Sequence, residues 1–204
     1  MSDPTARKPE TAPHSVDTWL AMGRRAKFTH RGHEIFYIDP GGDTGDRANS
    51  ALPPLLLIHG FPTSSYDWTY LWPRLIEPGR RLIAPDMIGF GFSAKPAGYP
   101  YSILDQADLH EALLRQLGVN EMHVLAHDYG DTVTQELLAR YQERLRKHQA
   151  GQGPRPEFRF RSITLLNGGL FPETHRPRTI QKLLLSPIGW LIPKFMGEDS
   201  FRVK

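Results

Sequence analysis

The sequence has no cysteine among its 204 residues. This excludes a disulfide framework and any site in which cysteine binds zinc or an iron–sulfur cluster, and it fits a reducing, cytoplasmic compartment. It also has no apolar run of the about 20 residues that a membrane span needs. The longest uncharged stretch near the end, 183–193, holds two prolines and a glycine. Residues 1–14 are polar with three prolines, which predicts a disordered tail and no targeting signal.

Neither sign of charge dominates, since the formal net charge is only +3. The basic excess is local, with 10 Lys and Arg against 3 Asp and Glu between Arg140 and Lys182. Such a patch could contact nucleic acid or anionic lipid. No nucleic-acid-binding motif accompanies it, so we interpret it as a solvated helix face and loop and expect no nucleic-acid partner.

Four short apolar runs alternate with helical patterns. Turn residues bound each run, which is typical of strands buried on both faces. The runs cover 55–58, 82–84, 123–126 and 163–166. Helices are expected over 15–22, 68–76, 103–117 and 133–145, and a hairpin of 27–30 with 34–38 around Arg31-Gly32. This alternation predicts an α/β protein with a mostly parallel, doubly wound sheet.

Unusual residues follow three of the predicted strands, and active residues collect at the carboxyl ends of parallel strands. These segments are 59–62, 86–93 and 126–130. In the last, a small residue, Ala126, stands two before Asp128 and a glycine, Gly130, two after it. This spacing matches a nucleophile elbow, whose strand-to-helix turn leaves no room for larger side chains. Asp128 is therefore a candidate nucleophile, and its alternative role is an ordinary helix N-cap.

Four ordered motifs carry a family resemblance. They are the segments 59–68 (HGFPTSSYDW), 88–96 (IGFGFSAKP), 127–131 (HDYGD) and 167–177 (NGGLFPETHRP). With them the sequence resembles the α/β-hydrolase fold, in its epoxide hydrolase and haloalkane dehalogenase branch. The resemblance implies that residues 15–170 form the N-terminal part of the hydrolase core and that 171–204 begin the lid.

The resemblance also implies a two-step hydrolysis. Asp128 attacks a carbon of a small apolar epoxide and forms an alkyl–enzyme ester, which water activated by a histidine then cleaves. The backbone N–H groups of Phe61 and Tyr129 form the oxyanion hole. Neither a metal nor another cofactor is implied.

The remaining motif residues are expected to support this site. Pro62 fixes the turn, and His59 packs beneath it in a structural role. His127 lines or supports the site, while Gly60 and Gly130 supply the small residues that the turns require.

Two other activities of the fold family fit the motifs less well. In the dehalogenase branch, an Asn or Glu usually stands at the position of Phe61 and a Trp at that of Tyr129, where they hold the halide. Esterase or lipase chemistry needs a serine at the elbow, and Ser93 lies in a turn that we interpret as scaffolding.

Other parts that the resemblance implies have no counterpart in this sequence. The catalytic histidine should follow the last strand, yet the last histidine is His175, and Asn167 stands where an acid could. Lid tyrosines are missing too, because the last tyrosine is Tyr141. We therefore expect a sheet without its final strands, with an uncovered edge that promotes self-association. A non-catalytic remnant and a binding or interaction protein remain alternatives to an enzyme.

Overall fold

A computed structural model of the protein describes residues 14–24, 28–40, 52–76 and 80–168. All of these residues belong to one compact unit, Met1–Leu170. The predicted tail lies outside the described residues except for His14, and the predicted lid segment lies wholly outside them.

The fold is a mixed sheet with helices on both faces. The strands are β1 Gly23–Arg24, β2 Thr29–His30, β3 His33–Glu34, β4 Tyr37–Ile38, β5 Leu55–Ile58, β6 Leu82–Pro85, β7 Glu121–His127 and β8 Arg159–Leu166. The helices are α1 Val16–Met22, α2 Trp72–Ile76, α3 Ile103–Gln116 and α4 Tyr129–Gln149, with a 3-10 helix over Ser65–Tyr70. Six strands form one sheet in the order β1-β4-β6-β5-β7-β8, and β2 pairs with β3 separately. The pairs β5–β6, β5–β7 and β7–β8 are parallel, which confirms the predicted class.

The sheet separates two apolar cores. One lies against α3 and α4 and contains Leu56, Val124 and Leu113, all almost fully buried. The other contains three tryptophans from α1, the 3-10 helix and α2. Of these, Trp19 is fully buried, donates its Nε1–H to Ser65 Oγ at 3.2 Å and meets the Trp72 ring edge to face at 5.0 Å. Because both strand faces are covered, β5 and β6 are apolar throughout, as their sequences indicated.

The predicted strand over 34–38 is interrupted in the structure. The hairpin forms around Arg31-Gly32, but Ile35 and Phe36 then enter opposite cores. Behind them β4 leaves the hairpin and pairs antiparallel with β6. Ile35 still donates its N–H to the Phe28 carbonyl, whereas Phe36 donates to Oγ of Ser93 and its carbonyl accepts the N–H of Asp86. The chain therefore changes its pairing partner between these two residues.

The helix predicted over 68–76 is also shorter than expected. A 3-10 helix begins after the cap Ser64, and the α-helix proper starts only at Trp72. Pro73 explains the break, because proline disfavours helical backbone in the residue before it and is tolerated only in the first turn of a helix.

The strand predicted as the fourth buried one forms as β8, but the prediction that both of its faces are buried is wrong. Ile163 and Leu165 are half-buried, whereas Thr164 and Leu166 are exposed. Within the described ranges, β8 has β7 as its one neighbour. An edge strand with one covered face alternates between buried and exposed residues, which a short apolar run does not reveal.

Helix α3 begins as predicted at Ile103, and its N-cap is Ser102, whose Oγ accepts the N–H of Asp105 at 3.1 Å. The Asp105 carboxylate does not return the bond, as a full capping box requires. It is buried and instead bonds His30 Nε2 at 2.8 Å and the Tyr99 hydroxyl at 2.7 Å. This polar cluster ties the β2–β3 hairpin to α3.

Candidate functional site

The carboxyl ends of three parallel strands meet at one edge of the sheet. Strand β5 lies between β6 and β7, so the segments that follow them are neighbours. The turn after β5 carries His59 to Pro62, and the turn after β7 carries Asp128. The structure thus brings together the motifs that the sequence placed at strand ends.

Asp128 occupies a strained strand-to-helix turn. Its φ is 52° and its ψ is −114°, a conformation that residues other than glycine rarely adopt. A Cβ at Gly130 would stand 2.5 Å from the carbonyl oxygen of Ile58 and 2.6 Å from that of His59. The start of α4 therefore packs directly on the end of β5, and only glycine fits there. This is the geometry of a nucleophile elbow.

One carboxylate oxygen of Asp128 is held by two backbone amides. Oδ1 accepts the N–H of Phe61 at 3.0 Å and the N–H of Tyr129 at 2.6 Å. The first amide comes from the turn after β5 and the second from the first residue of α4. These are the two N–H groups that the sequence resemblance indicated for an oxyanion hole.

His59 lies beneath the turn and is fully buried. Its Nδ1 donates to the carbonyl oxygen of Gly60 at 2.8 Å, and its Nε2 accepts the N–H of Met87 at 3.0 Å. Burial lowers the pKa of His59, although the negative charge of Asp86 acts to raise it. The ring is therefore neutral, with both nitrogens engaged, and it joins the turns after β5 and β6.

The loop after β6 is anchored by a buried carboxylate. Asp86 accepts the N–H of Ser65 at 2.7 Å and that of Phe92 at 2.6 Å. Ser93 is also buried, donates to the carbonyl oxygen of Asp86 at 2.6 Å and accepts the N–H of Phe36 at 2.9 Å. This agrees with the interpretation of the Ser93 turn as scaffolding.

His127 and Pro62 lie beside the elbow and make different contributions. His127 is half-buried, and its Nδ1 would stand 2.9 Å from a Cβ placed on Gly60. Pro62 is exposed and follows a cis peptide bond with Phe61. Both residues therefore shape the turn around Asp128.

Sequence reasoning missed two residues close to this turn. The Phe90 ring, in the loop after β6, contacts the rings of His59, Phe61 and Tyr129 at centroid distances of 5.5, 6.0 and 5.8 Å. Asp131, in the first turn of α4, is fully buried beside the backbone of Leu166 and Gly168. Burial raises the pKa of Asp131. Two signals were available in the sequence. Phe90 stands between two glycines, and Asp131 stands three residues after Asp128.

A cavity of about 350 Å³ lies elsewhere, and Arg155 and Arg159 line it. It adjoins the amino-terminal start of β8, at the opposite end of the strand from Asp128. Within the described ranges no cluster of three His, Asp or Glu side chains could bind a metal ion. No helix among the same residues is long and apolar enough to cross a membrane.

Comparison with known proteins supports the class that the fold defines. The family model for the alpha/beta hydrolase fold matches residues 53–148, which include β5, β6, β7 and the elbow. The chain has the α/β-hydrolase fold. This confirms the resemblance that the four motifs carry.

Among individual proteins, the chain is similar to the mesoderm-specific transcript homolog protein of Bos taurus, with 45% identity over 188 residues. That match covers 88% of this chain and 51% of the relative, so the chain spans about half the length of the curated relatives that it matches. The haloalkane dehalogenase DbeA from Bradyrhizobium elkani is 31% identical, with a TM-score of 0.54 over 72% of this chain and 41% of that one. The epoxide hydrolase CorEH shares the fold, with a TM-score of 0.55 and 24% identity over 80% of this chain and 48% of that one.

Proposed function

We propose that this chain supplies the nucleophile of an epoxide hydrolase-like active site. The observation that carries the proposal is the pair of N–H groups, from Phe61 and Tyr129, on Oδ1 of Asp128. Among the described residues no donor bonds the other oxygen, Oδ2. A carboxylate held by one oxygen at a helix N-terminus presents its second oxygen for attack.

In the first step, Oδ2 of Asp128 attacks a carbon of the epoxide ring. The new C–O bond forms as the ring C–O bond breaks, and the electron pair of the broken bond goes to the epoxide oxygen, which takes a proton from water. The product is an alkyl–enzyme ester. Oδ1 becomes its carbonyl oxygen and is already bound by the two amides.

In the second step, water adds to the ester carbonyl carbon; the bond from that carbon to Oδ2 then breaks, the diol leaves with Oδ2 and a proton, and the Asp128 carboxylate is restored with one oxygen from water. While the water adds, negative charge develops on Oδ1. The same two N–H groups stabilise that charge, since they point to the oxygen before the reaction begins. A general base must remove the proton of the attacking water. His59 does not serve, because both of its ring nitrogens are bonded. Ester formation is therefore the step that the described residues support by themselves.

The test is intact-mass spectrometry of the folded chain after incubation with a reactive terminal epoxide. We expect one covalent adduct per chain, which peptide mapping assigns to Asp128 and which Asp128→Asn abolishes. Asp108→Asn is the matched control, because Asp108 is 44% exposed on α3 and pairs with Arg140. An adduct that persists in Asp128→Asn would contradict the assignment. A folded chain without any adduct would favour a binding or interaction protein.

Haloalkane hydrolysis is a second candidate, supported by the 31% identity to the dehalogenase DbeA. The same Asp128 ester would form, with halide as the leaving group. The side chains of Phe61 and Tyr129 offer neither the amide nor the indole N–H that the resemblance associates with halide binding. Parallel incubation with a 1-bromoalkane decides between the two, and we expect the epoxide to react faster.

A further inference from the structure

Three aromatic rings form one wall beside the proposed nucleophile. The Phe90 ring stands between Phe61, which it meets edge to face with an interplanar angle of 86°, and Tyr129, from which it is tilted by 37°. Phe61 and Tyr129 are the residues whose amides hold Asp128. The wall therefore lies next to the reacting carboxylate.

This wall is not a closed part of the core. The Phe61 side chain is 57% exposed, and Phe90 and Tyr129 are half-buried. Aromatic side chains that serve packing alone are normally covered, since exposure forfeits their large apolar contact area. Exposed ring surface beside a nucleophile is suited to contact with a bound molecule.

The backbone around Phe90 is fixed before any ligand binds. Its N–H donates to the Met87 carbonyl at 3.0 Å, and Gly89 donates to Ala94 at 2.9 Å. From α3, the buried Gln106 donates its Nε2–H to the Ile88 carbonyl at 2.9 Å. Because these hydrogen bonds fix the loop, the Phe90 ring is preorganised for contact, and binding costs little conformational entropy.

We infer that Phe90 is a specificity-determining residue, and that the substrate carries an aromatic group on the epoxide carbon that Asp128 attacks. This inference rests on the proposed function. An aryl ring can pack edge to face on one ring of the wall and offset on another. The negative ring faces also favour the partial positive charge that develops at a benzylic carbon as its C–O bond breaks.

The test compares two epoxides of equal carbon number, styrene oxide and 1,2-epoxyoctane, on the full 204-residue chain. The readout is the rate of ester formation at Asp128, followed by intact mass and peptide mapping. We expect the aryl epoxide to react faster. An aromatic pair is worth a factor of about two to ten, so Phe90→Leu should lower the aryl-to-alkyl rate ratio by that factor.

Two further variants separate specificity from folding. Phe90→Tyr keeps the ring and should keep the ratio. Phe92→Leu is the matched control, because Phe92 lies two residues on in the same loop but packs against Phe36 in the other core, at 5.2 Å. Thermal melting confirms that each variant is folded.

The outcomes distinguish this inference from the proposed function. Esters at Asp128 with an unchanged ratio in folded Phe90→Leu overturn the inference and leave the proposed function standing. A ratio that falls equally in Phe92→Leu also overturns it, since the effect would then come from the loop as a whole. No ester with either epoxide overturns the proposed function, and the inference with it.

Discussion

Gly60 lies directly against the side chain of Asp128. A Cβ placed on Gly60 would stand 2.8 Å from the Cβ of Asp128 and 2.9 Å from Nδ1 of His127, closer than real side-chain contacts. The next residue, Phe61, donates the amide that binds Oδ1 of Asp128 at 3.0 Å. Because glycine has no Cβ, the turn after β5 can approach the turn at Asp128 this closely.

Replacing this glycine should damage the site without unfolding the chain. We expect Gly60→Ala to push the two turns apart, weaken the Phe61 amide contact and slow ester formation at Asp128 by about tenfold or more, because the carboxylate is no longer held in position for attack. The overpacking should cost about 1–3 kcal/mol of unfolding free energy. Adduct rates and urea unfolding measure the two effects.

The matched control is Gly153→Ala. A Cβ at Gly153 would meet Lys147 Cβ at 3.5 Å, an ordinary van der Waals contact far from the elbow. We expect no change in adduct rate there. Equal rates for Gly60→Ala and wild type would show that the turn spacing does not govern the reaction.

The parts of the site that could be predicted from the sequence are those that depend on residues close to one another in the chain. The elbow at Asp128 was predictable because Ala126 and Gly130 flank it at fixed spacing. Its two amide donors followed from the strand-end rule and the family resemblance. Contacts that depend on distant packing were not predictable in this way. No spacing rule places the Phe90 ring between Phe61 and Tyr129, because that contact needs all three strand ends in place.

The fold shows the same limit. Buried strands such as β5 can be recognised in the sequence as continuous apolar runs, and the prediction for them is confirmed. For β8 the apolar run over 163–166 led to a wrong prediction of its burial. The number of neighbouring strands is a property of the whole sheet and cannot be read from the run itself. Likewise, nothing local indicated that the chain would change its pairing partner between Ile35 and Phe36 and so interrupt the predicted strand.

The buried carboxyl of Asp131 should lower stability at neutral pH. A carboxyl whose pKa is raised in the folded state stabilises the protein below its unfolded pKa, and this contribution is lost as pH rises through the folded pKa. Burial raises the pKa of Asp131. We therefore expect Asp131→Asn to increase the free energy of unfolding at pH 7.5 and to change it little at pH 4.

Urea unfolding at the two pH values tests this, with Asp108→Asn as the control. Asp108 is 44% exposed, so its replacement should have a small effect that does not grow with pH. A less stable Asp131→Asn at pH 7.5 would show that the charged form is bound favourably in the native state, contrary to the expectation.

The exposed residues on one face of β8 lead us to predict that the chain associates with itself. Thr164 and Leu166 are exposed on the same side of this edge strand, and exposed strand edges pair with other chains unless charges prevent it. We expect the 204-residue chain to sediment above monomer mass at high concentration. Thr164→Lys should shift it toward the monomer, whereas Thr164→Val should not. A sharp monomeric boundary for the wild type, with cooperative melting, contradicts the prediction.

Stability should also fall in mild acid because of His110. This histidine is fully buried in α3; its Nδ1 donates to the Gln106 carbonyl at 2.7 Å, while its Nε2 has no partner. Burial lowers its pKa from 6.5 to about 4, so between these values the unfolded chain binds the extra proton and stability decreases as pH falls. The loss should reach roughly 3 kcal/mol at pH 4.

His110→Leu removes the proton-binding group, and we expect it to flatten the stability profile between pH 6.5 and pH 4. His148→Gln is the control, because His148 is exposed near the end of α4 and should leave the slope unchanged. Urea unfolding at half-unit pH intervals measures all three proteins. If His110→Leu keeps the wild-type slope, another group causes the acid sensitivity, and burial of a neutral His110 is not its source.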